Sequence, residues 1–410
     1  MKRRIALFST AVFGCTLAAF SQQGPTGTPA PIVATVNTQE TSAPISKYLY
    51  GGFIEEGGTL ISRSLWSEML DDRKFYFPIN SQVTEEPAGQ RRRPSFLEPP
   101  RKWRPVGPDE AVVMDADAPF VGDHSPRIAL DSSTSHGIQQ SGLTLVKDKK
   151  YIGRIYLRGT SGATVKVSLI WGEDPKDRQT VSFASLTDSY RKFALSFTAG
   201  ASTNKATFEI AGTGQGNFHV GTVSLMPADN VSGFRPDTIA LLRQLHPGMW
   251  RLPGGNVISD WVWYDSVGDI DKRPPMFDYA WHAMQTNDVG LDELMTLCRL
   301  IDVDPYITVN AGFGDSHSAA QEVEYINGSA STPMGAWRAR NGHPEPWHVK
   351  YWNIGNEPYG SWQLGHTDLK YFVLKHNEFA KAMREADPSI TLLASGAFPD
   401  EMTVEGQARL

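Results

Sequence analysis

Trp352-Asn353-Ile354-Gly355-Asn356-Glu357-Pro358 places an amide and a carboxylate directly after a run that reads as a β-strand. A carboxyl group at the end of an apolar strand is partly withdrawn from water. Burial raises its pKa and lets it keep a proton until a leaving oxygen needs one. Asn356 beside it can donate to a hydroxyl or to a partner carboxylate, and Pro358 stiffens the exit from the strand. A proton donor of this kind, working with a second carboxyl group about 5–5.5 Å away when configuration is retained, is the equipment for cleaving a glycosidic bond. Tryptophans at 347, 352 and 362 stand around the motif and make it more specific than Asn-Glu-Pro alone. The competing use of Glu357 is to cap the helix that follows.

The elements that must hold this motif alternate. Pro236 to Leu245 predicts a helix with proline in its first turn, and Met249-Trp250-Arg251-Leu252 a short strand running into Pro253-Gly254-Gly255-Asn256. Gly290 to Val303 predicts a helix, Tyr306 to Asn310 a strand, Val349 to Ile354 a strand, Asp368 to Ala386 a long helix stopped by Asp387-Pro388, and Ile390 to Ala394 another strand. Earlier in the chain, Pro31 to Val36 and Lys47 to Ile54 are strand candidates, and Leu65, Trp66, Met69 and Leu70 recur at helical spacing. This β/α alternation implies a parallel sheet with crossover helices. Polar residues stand just past each strand (Glu55, Asn256, Asn310, Glu357), on the rim where a (β/α)8 barrel builds its active site. Between about 110 and 228 the texture is different. Short alternating runs around Ile155, Val167, Leu195, Phe208 and Val220, separated by Gly, Ser, Thr and Asp turns, predict an antiparallel sandwich. The expected fold is α/β: a partial (β/α)8 TIM barrel, its first five strands, with the antiparallel β-sandwich inserted after the first.

Composition narrows the chemistry. With 410 residues, 40% hydrophobic and 20% charged, the chain is long enough for two or three cores. A net charge of −6 argues against a nucleic-acid partner, and Arg91-Arg92-Arg93 reads as a short solvated run. Lys2-Arg3-Arg4, the apolar stretch Ile5 to Phe20, and Ala19 and Ser21 ahead of Gln22 form the pattern of a cleaved export signal. A secreted or periplasmic location follows, with no membrane association after cleavage. A lipoprotein anchored at Cys15 is the minor alternative, which Phe13 fits poorly. Cys298 stands among Leu294, Leu297 and Ile301 and reads as a buried apolar thiol. The scattered histidines lack paired ligand spacing, and Gly254-Gly255 lacks the lysine of a phosphate loop, so neither a metal nor a cofactor is implied. His366 is a candidate pocket residue. The sequence leaves the oligomeric state open.

Arg251-Leu252-Pro253-Gly254-Gly255-Asn256 resembles the Arg-x-Pro-Gly-Gly-Asn strand end of glycoside hydrolase family 51, the α-L-arabinofuranosidases. Arg273-Pro274, Asp278-Tyr279-Ala280-Trp281, Thr286 to Gly290, Asp292 to Met295, Val309-Asn310, Trp352 to Glu357 and Trp362 to His366 follow in the family's order, and Gly52-Phe53-Ile54-Glu55 resembles its first barrel strand. The resemblance covers about 45–60 and 235–400. It implies Glu357 as general acid/base, Asn356 and Asn256 as hydrogen-bonding partners of an arabinofuranosyl ring, Glu55 as ligand of its outer hydroxyls, and Trp281 as a wall of the pocket. The alternatives by residue type are a loop salt bridge for Glu55, a turn former for Asn256 and ordinary core for Trp281.

The implied partner is a plant cell-wall polysaccharide or oligosaccharide containing arabinofuranose. The family's nucleophile is a Glu ending a seventh barrel strand. Glu401 and Glu405 follow the fifth and are not assigned that role, so these residues are expected to lack it. Residues 106–230 are similar in style to carbohydrate-binding modules. The expected division is 1–21 signal peptide, 22–44 linker and N-terminal strand, 45–105 first barrel strand with helix and connection, 106–230 sandwich, and 231–410 partial catalytic barrel. The alternatives are another glycosidase of the same clan, of endo-glucanase or xylanase type, and a non-catalytic carbohydrate-binding protein.

Overall fold

The computed structural model describes residues 37, 39–57, 60–82 and 100–396. The leader with Cys15, the Pro31 to Val36 strand candidate, Arg91-Arg92-Arg93, Glu401 and Glu405 lie outside the described residues. The chain divides into two compact units, Met1–Ile45 and Ser46–Leu410, and all the elements below belong to the second.

The first strand is shorter than its apolar pattern suggests. Ser46 accepts from the Tyr48 N–H and opens a single 3-10 turn, Lys47–Tyr50, so that β1 spans only Gly52–Glu55. A short helix follows, α1 (Leu60–Ser64). The helix expected around Leu65, Trp66, Met69 and Leu70 is absent. The backbone there bonds to distant strands and loops instead of to itself: Ser67 N donates to Gly233 O and Met69 N to Leu225 O. The three-and-four spacing arises because the segment plugs two cores, Trp66 edge-on against Phe234 in one and Leu70 in the other.

Ten strands then build two antiparallel sheets. They are β2 (Arg104–Val106), β3 (Val112–Asp115), β4 (Ser125–Ala129), β5 (His136–Leu145), β6 (Lys150–Gly159), β7 (Ala163–Ile170), β8 (Arg178–Ala184), β9 (Arg191–Thr198), β10 (Thr203–Gly214) and β11 (Asn217–Pro227). One sheet has the order β2-β5-β10-β7-β8 and the other β3-β4-β11-β6-β9. Val165, Val167, Phe208 and Ile210 of the first share a core with Ile155, Leu157, Phe197 and Val220 of the second. Alternate residues on each strand face that core, as period-two patterning requires.

The remaining chain alternates. It comprises α2 (Pro236–Gln244), β12 (Met249–Gly254), a hairpin of β13 (Met276–Asp278) and β14 (Ala283–Gln285), α3 (Leu291–Ile301), β15 (Asp304–Val309), α4 (Ser316–Asn327), α5 (Pro333–Arg340), β16 (Tyr351–Ile354), α6 (Leu369–Ala386) and β17 (Thr391–Ala394). The parallel sheet has the order β1-β12-β15-β16-β17, each neighbour pair separated in sequence by at least one helix. Helix boundaries follow capping chemistry. Glu293 accepts from the Gly290 N–H at the start of α3, Asp315 caps α4, Thr332 caps α5 and Asp368 caps α6. Leu252, Ile307 and Trp352 lie side by side in register. All three are fully buried in one core with Leu291, Leu294, Cys298 and Ile301 of α3. Burial pushes the Cys298 thiol up to about 12, so it is an inert packing residue.

The two-sheet unit and the parallel unit meet at a buried ion network. Arg73, from the segment after α1, bonds Asp288 at 2.6 Å and Asp271 at 2.8 Å, and Arg154 of β6 closes on the same Asp271. Among the described residues no helix is long and apolar enough to cross a membrane.

Candidate active site

Parallel pairing brings the C-terminal strand ends to one edge. Glu55 of β1 lies opposite Gly254 of β12, and Val309, Ile354 and Ala394 share a level on β15, β16 and β17. The segments that leave this edge carry every polar residue singled out by the sequence.

Glu55 is held by N–H donors. Its Oε1 accepts from the Asn256 backbone N–H at 3.0 Å and from the Trp281 indole at 2.9 Å. Gly255 makes this possible. It adopts φ 77°, and a side chain there would collide with the Glu55 carboxylate. Asn256 also opens the 3-10 turn Asn256–Ser259, so it is a turn former as well as a polar group in the cluster. Its Oδ1 accepts from the Asn356 amide at 3.0 Å. Asn356 is buried and fully engaged: its Oδ1 accepts from Arg251 at 3.1 Å, and its amide also donates to Gln363 Oε1 at 3.1 Å. Trp281 is half-buried and does not belong to a core. Glu55, Trp281, Asn256 and Asn356 thus form one continuous hydrogen-bonded chain, and Glu357 is the next residue. Glu357 is half-buried in the left-handed region (φ 43°), with its Oε2 accepting from the Trp362 indole at 2.8 Å.

Asn310 folds its own loop: its Oδ1 accepts from Gly312 and Gly314, and its amide donates to Trp261 O. His366 is exposed, with Nδ1 on Gln363 O. Three residues that bind the cluster together were not singled out as site residues from the sequence. Gln363 donates to both Asn256 O and Ser259 Oγ, Arg251 orients Asn356, and Trp362 holds Glu357. Arg251, Trp362 and Gln363 stand inside the quoted motifs, which was the available signal.

Two further acids lie behind Glu55. Asp278 Oδ1 accepts from the N–H groups of Ala280 and Trp281, which sets the turn that aims the indole at Glu55. Burial, against these bonds, raises the Asp278 carboxyl to about 6. Glu56 is buried, and its Oε2 has no hydrogen-bond partner. Burial first, then the Asp278 and Glu55 charges, raises it to about 8. The doublet Glu55-Glu56 was visible in the sequence, but not that one acid faces the cleft and the other the interior. A cleft of about 320 Å³ opens beside Glu55 and Trp281, with Phe53, Leu60, Leu242 and Trp250 on its apolar walls.

Glu56 yields a stability prediction. Its folded pKa lies above its unfolded value, so the folded state keeps a proton that the unfolded chain releases between about pH 4.5 and 8. The stability it contributes is therefore present at acid pH and lost as pH rises across that window. Glu56→Gln keeps the shape without the charge. It should match the parent near pH 4 and exceed it near pH 7 by on the order of 3 kcal/mol, from 1.36 kcal/mol per pKa unit. Urea unfolding at the two pH values checks this, and equal gains at both would refute it.

Residues 241–408 match the family model described as the alpha-L-arabinofuranosidase 1 domain. The probable alpha-L-arabinofuranosidase C of Aspergillus clavatus is 38% identical over 170 residues, which are 42% of this chain and 34% of that protein. The intracellular exo-alpha-(1->5)-L-arabinofuranosidase of Acetivibrio thermocellus is 35% identical over 170 residues, again 42% of this chain and 34% of that protein. The chain therefore spans about a third of the length of the curated relatives it matches. Among solved structures, the arabinose-bound MgGH51 α-L-arabinofuranosidase aligns with a TM-score of 0.71 over 89% of this chain and 61% of that one, at 20% identity, a likeness of fold. The matched segment carries the Arg251 to Asn256 and Trp352 to Glu357 strand ends together, so over residues 241–408 the chain is similar to the alpha-L-arabinofuranosidases.

Proposed function

We propose that the protein is an exported, retaining, exo-acting α-L-arabinofuranosidase that releases terminal non-reducing α-L-arabinofuranosyl residues from arabinoxylan- or arabinan-type polysaccharides. Glu357 is assigned as the general acid/base, Asn256 and Asn356 as hydrogen-bonding partners of the furanose ring, Glu55 as acceptor from its outer hydroxyls, and Trp281 as the pocket wall. The observation that carries this reading is the unbroken chain Trp281–Glu55–Asn256–Asn356, which ends one residue before Glu357. Both protein bonds to Glu55 fall on Oε1, and Oε2 is the oxygen proposed for the sugar. Polar groups fixed in advance cost little reorganisation when charge develops at the ring.

The same reading takes the parallel sheet as the first five strands of a (β/α)8 barrel, with its active site at the C-terminal strand ends. Residues 106–230 are then an inserted carbohydrate-binding module, and 1–21 an export signal. The capturing carboxylate is not assigned to Glu401 or Glu405.

The full-length protein is expected to release arabinose from p-nitrophenyl α-L-arabinofuranoside and to leave aryl β-xylosides and β-glucosides intact. The opposite preference would replace this reading with another glycosidase of the clan.

A further inference from the structure

Gln363 spends its whole side-chain amide on the site. The residue is 2% exposed and stands in the loop that follows β16. Its Oε1 accepts from the Asn356 amide at 3.1 Å, and its Nε2 donates to Asn256 O at 3.1 Å and to Ser259 Oγ. Its backbone is pinned too: its N–H donates to Gly360 O at 2.9 Å, and its O accepts from the His366 N–H at 3.2 Å. Ser259 extends the clip to the loop after β15, its O accepting from the Phe313 N–H at 2.9 Å. One buried side chain therefore helps set how the segments leaving β12 and β16 lie against each other.

The direction of each bond can be traced from Arg251. A guanidinium has no acceptor, so Arg251 meets Asn356 through Oδ1. The Asn356 nitrogen then faces Asn256 and Gln363, and its two hydrogens go to Asn256 Oδ1 and Gln363 Oε1. The Gln363 nitrogen has likewise used both of its hydrogens. Of these three amides only Asn256 Nδ2 has no protein partner among the described residues, and Asn256 is not closed off from solvent. We propose that Gln363 is a positioning residue: by fixing the polarity of both asparagines it makes Asn256 Nδ2 the one amide donor offered to a furanose hydroxyl, and leaves Asn356 only a lone pair of Oδ1 to offer. This rests on the arabinofuranosidase reading. Amides set before the sugar arrives cost little reorganisation on binding. Without Gln363, one Asn356 hydrogen loses its acceptor, and the turn Asn256–Ser259 loses two of its bonds to the loop that carries Glu357.

The test uses the full-length protein and Gln363→Glu, which keeps the shape. When ionised, the new carboxyl has no hydrogen for Asn256 O; when protonated, it has one. The groups it faces, Asn256, Asn356 and Ser259, do not titrate, so the variant-to-parent ratio isolates its proton. On p-nitrophenyl α-L-arabinofuranoside, kcat/KM should be about tenfold below the parent near pH 7.5, mostly through KM, and return to within about twofold near pH 4.5. In an Asn256→Ala background the same change should cost less than about twofold, because the donor it positions is gone. A ratio that does not move with pH, or full additivity with Asn256→Ala, overturns the proposal. Should Gln363→Glu fail to fold, Ser259→Ala takes its place, with an expected loss of about threefold that disappears in the Asn256→Ala background; additivity there overturns the proposal equally. A measurement without turnover separates the two claims. It is calorimetric titration with 1,4-dideoxy-1,4-imino-L-arabinitol, a furanose-shaped ring, whose affinity should fall about tenfold in Gln363→Glu near pH 7.5. Unchanged affinity overturns the positioning role whatever the catalytic result. Absence of arabinose release by the parent, with affinity still dependent on Gln363, overturns the activity and keeps the role.

Discussion

Replacing Glu357 by alanine in the full-length protein is expected to lower arabinose release from a natural oligosaccharide by about 10²–10⁴-fold, the usual contribution of a positioned acid/base. The loss has two parts on the proposed retaining mechanism. Departure of a sugar alcohol needs a proton from Glu357, and hydrolysis of the covalent glycosyl intermediate needs Glu357 to take a proton from water. An aryl substrate with a good leaving group bypasses the first need but not the second. The intermediate should therefore accumulate with p-nitrophenyl arabinofuranoside, giving a burst followed by slow turnover. Azide needs no base, so adding it should restore turnover and give the α-configured glycosyl azide. A variant with unchanged turnover, or one that azide leaves slow on the aryl substrate, would remove Glu357 from the role. Trp362→Phe separates positioning from chemistry: it removes the N–H that holds Oε2 while keeping an aromatic ring at that position. Its effect on the aryl substrate should be smaller than that of Glu357→Ala.

The strand ends were legible because parallel pairing leaves little freedom. Once Met249 to Gly254 and Tyr351 to Ile354 are strands of one sheet, Asn256 and Asn356 must leave the same edge. The helices were legible from cap to stop, as with Asp368 and Asp387-Pro388 around α6. Between Asn310 and His348 the sequence was read less far: α4 and α5 were not anticipated, although Asp315 and Thr332 sit as their caps. In the two-sheet unit the runs that form β6, β7, β9, β10 and β11 were read, while β2 to β5, and β8, which is exposed along most of its length, were not. The segment 65–82 misled because local periodicity cannot tell a helix face from a strand of loop feeding two cores. Within the site, Glu55, Asn256, Trp281 and Asn356 could be singled out by type and motif. What no local pattern carries is who bonds whom: that one Gln363 amide reaches both Asn256 and Ser259 depends on loops about a hundred residues apart.

The same limit hid Arg73, whose replacement by methionine should cost about 3–5 kcal/mol, the price of breaking a buried ion pair from one side. The guanidinium is 1% exposed and uses all three nitrogens, two on Asp288, with Nη1 on Asp271 and Thr222. Burial alone would raise Asp288, but Arg73 and then Lys74 hold its carboxyl well below the usual range. In the parent this stability is present above the unfolded carboxylate pKa and lost as pH falls through the lower folded value. In Arg73→Met, Asp288 keeps its burial and its Lys74 partner but loses the larger one, so its folded pKa rises and less stability is lost as the medium is acidified. Adding Asp288→Asn to Arg73→Met should not recover the loss, because it leaves the buried Lys74 ammonium without its carboxylate. Arg73→Lys should fall between, since an ammonium cannot span both carboxylates with a planar fork. Urea unfolding of the four proteins at pH 7 and pH 5 measures these differences. The consequence for function follows from position. Asp271 and Asp288 bracket the stretch that contains Asp278 and Trp281, and Arg73 clamps both ends of it. A loosened clamp lets the Trp281 indole leave Glu55, so Arg73→Met should raise KM for arabinofuranosides at temperatures where the protein is still folded. Loss of stability with unchanged KM would mean that the clamp holds the fold and not the pocket.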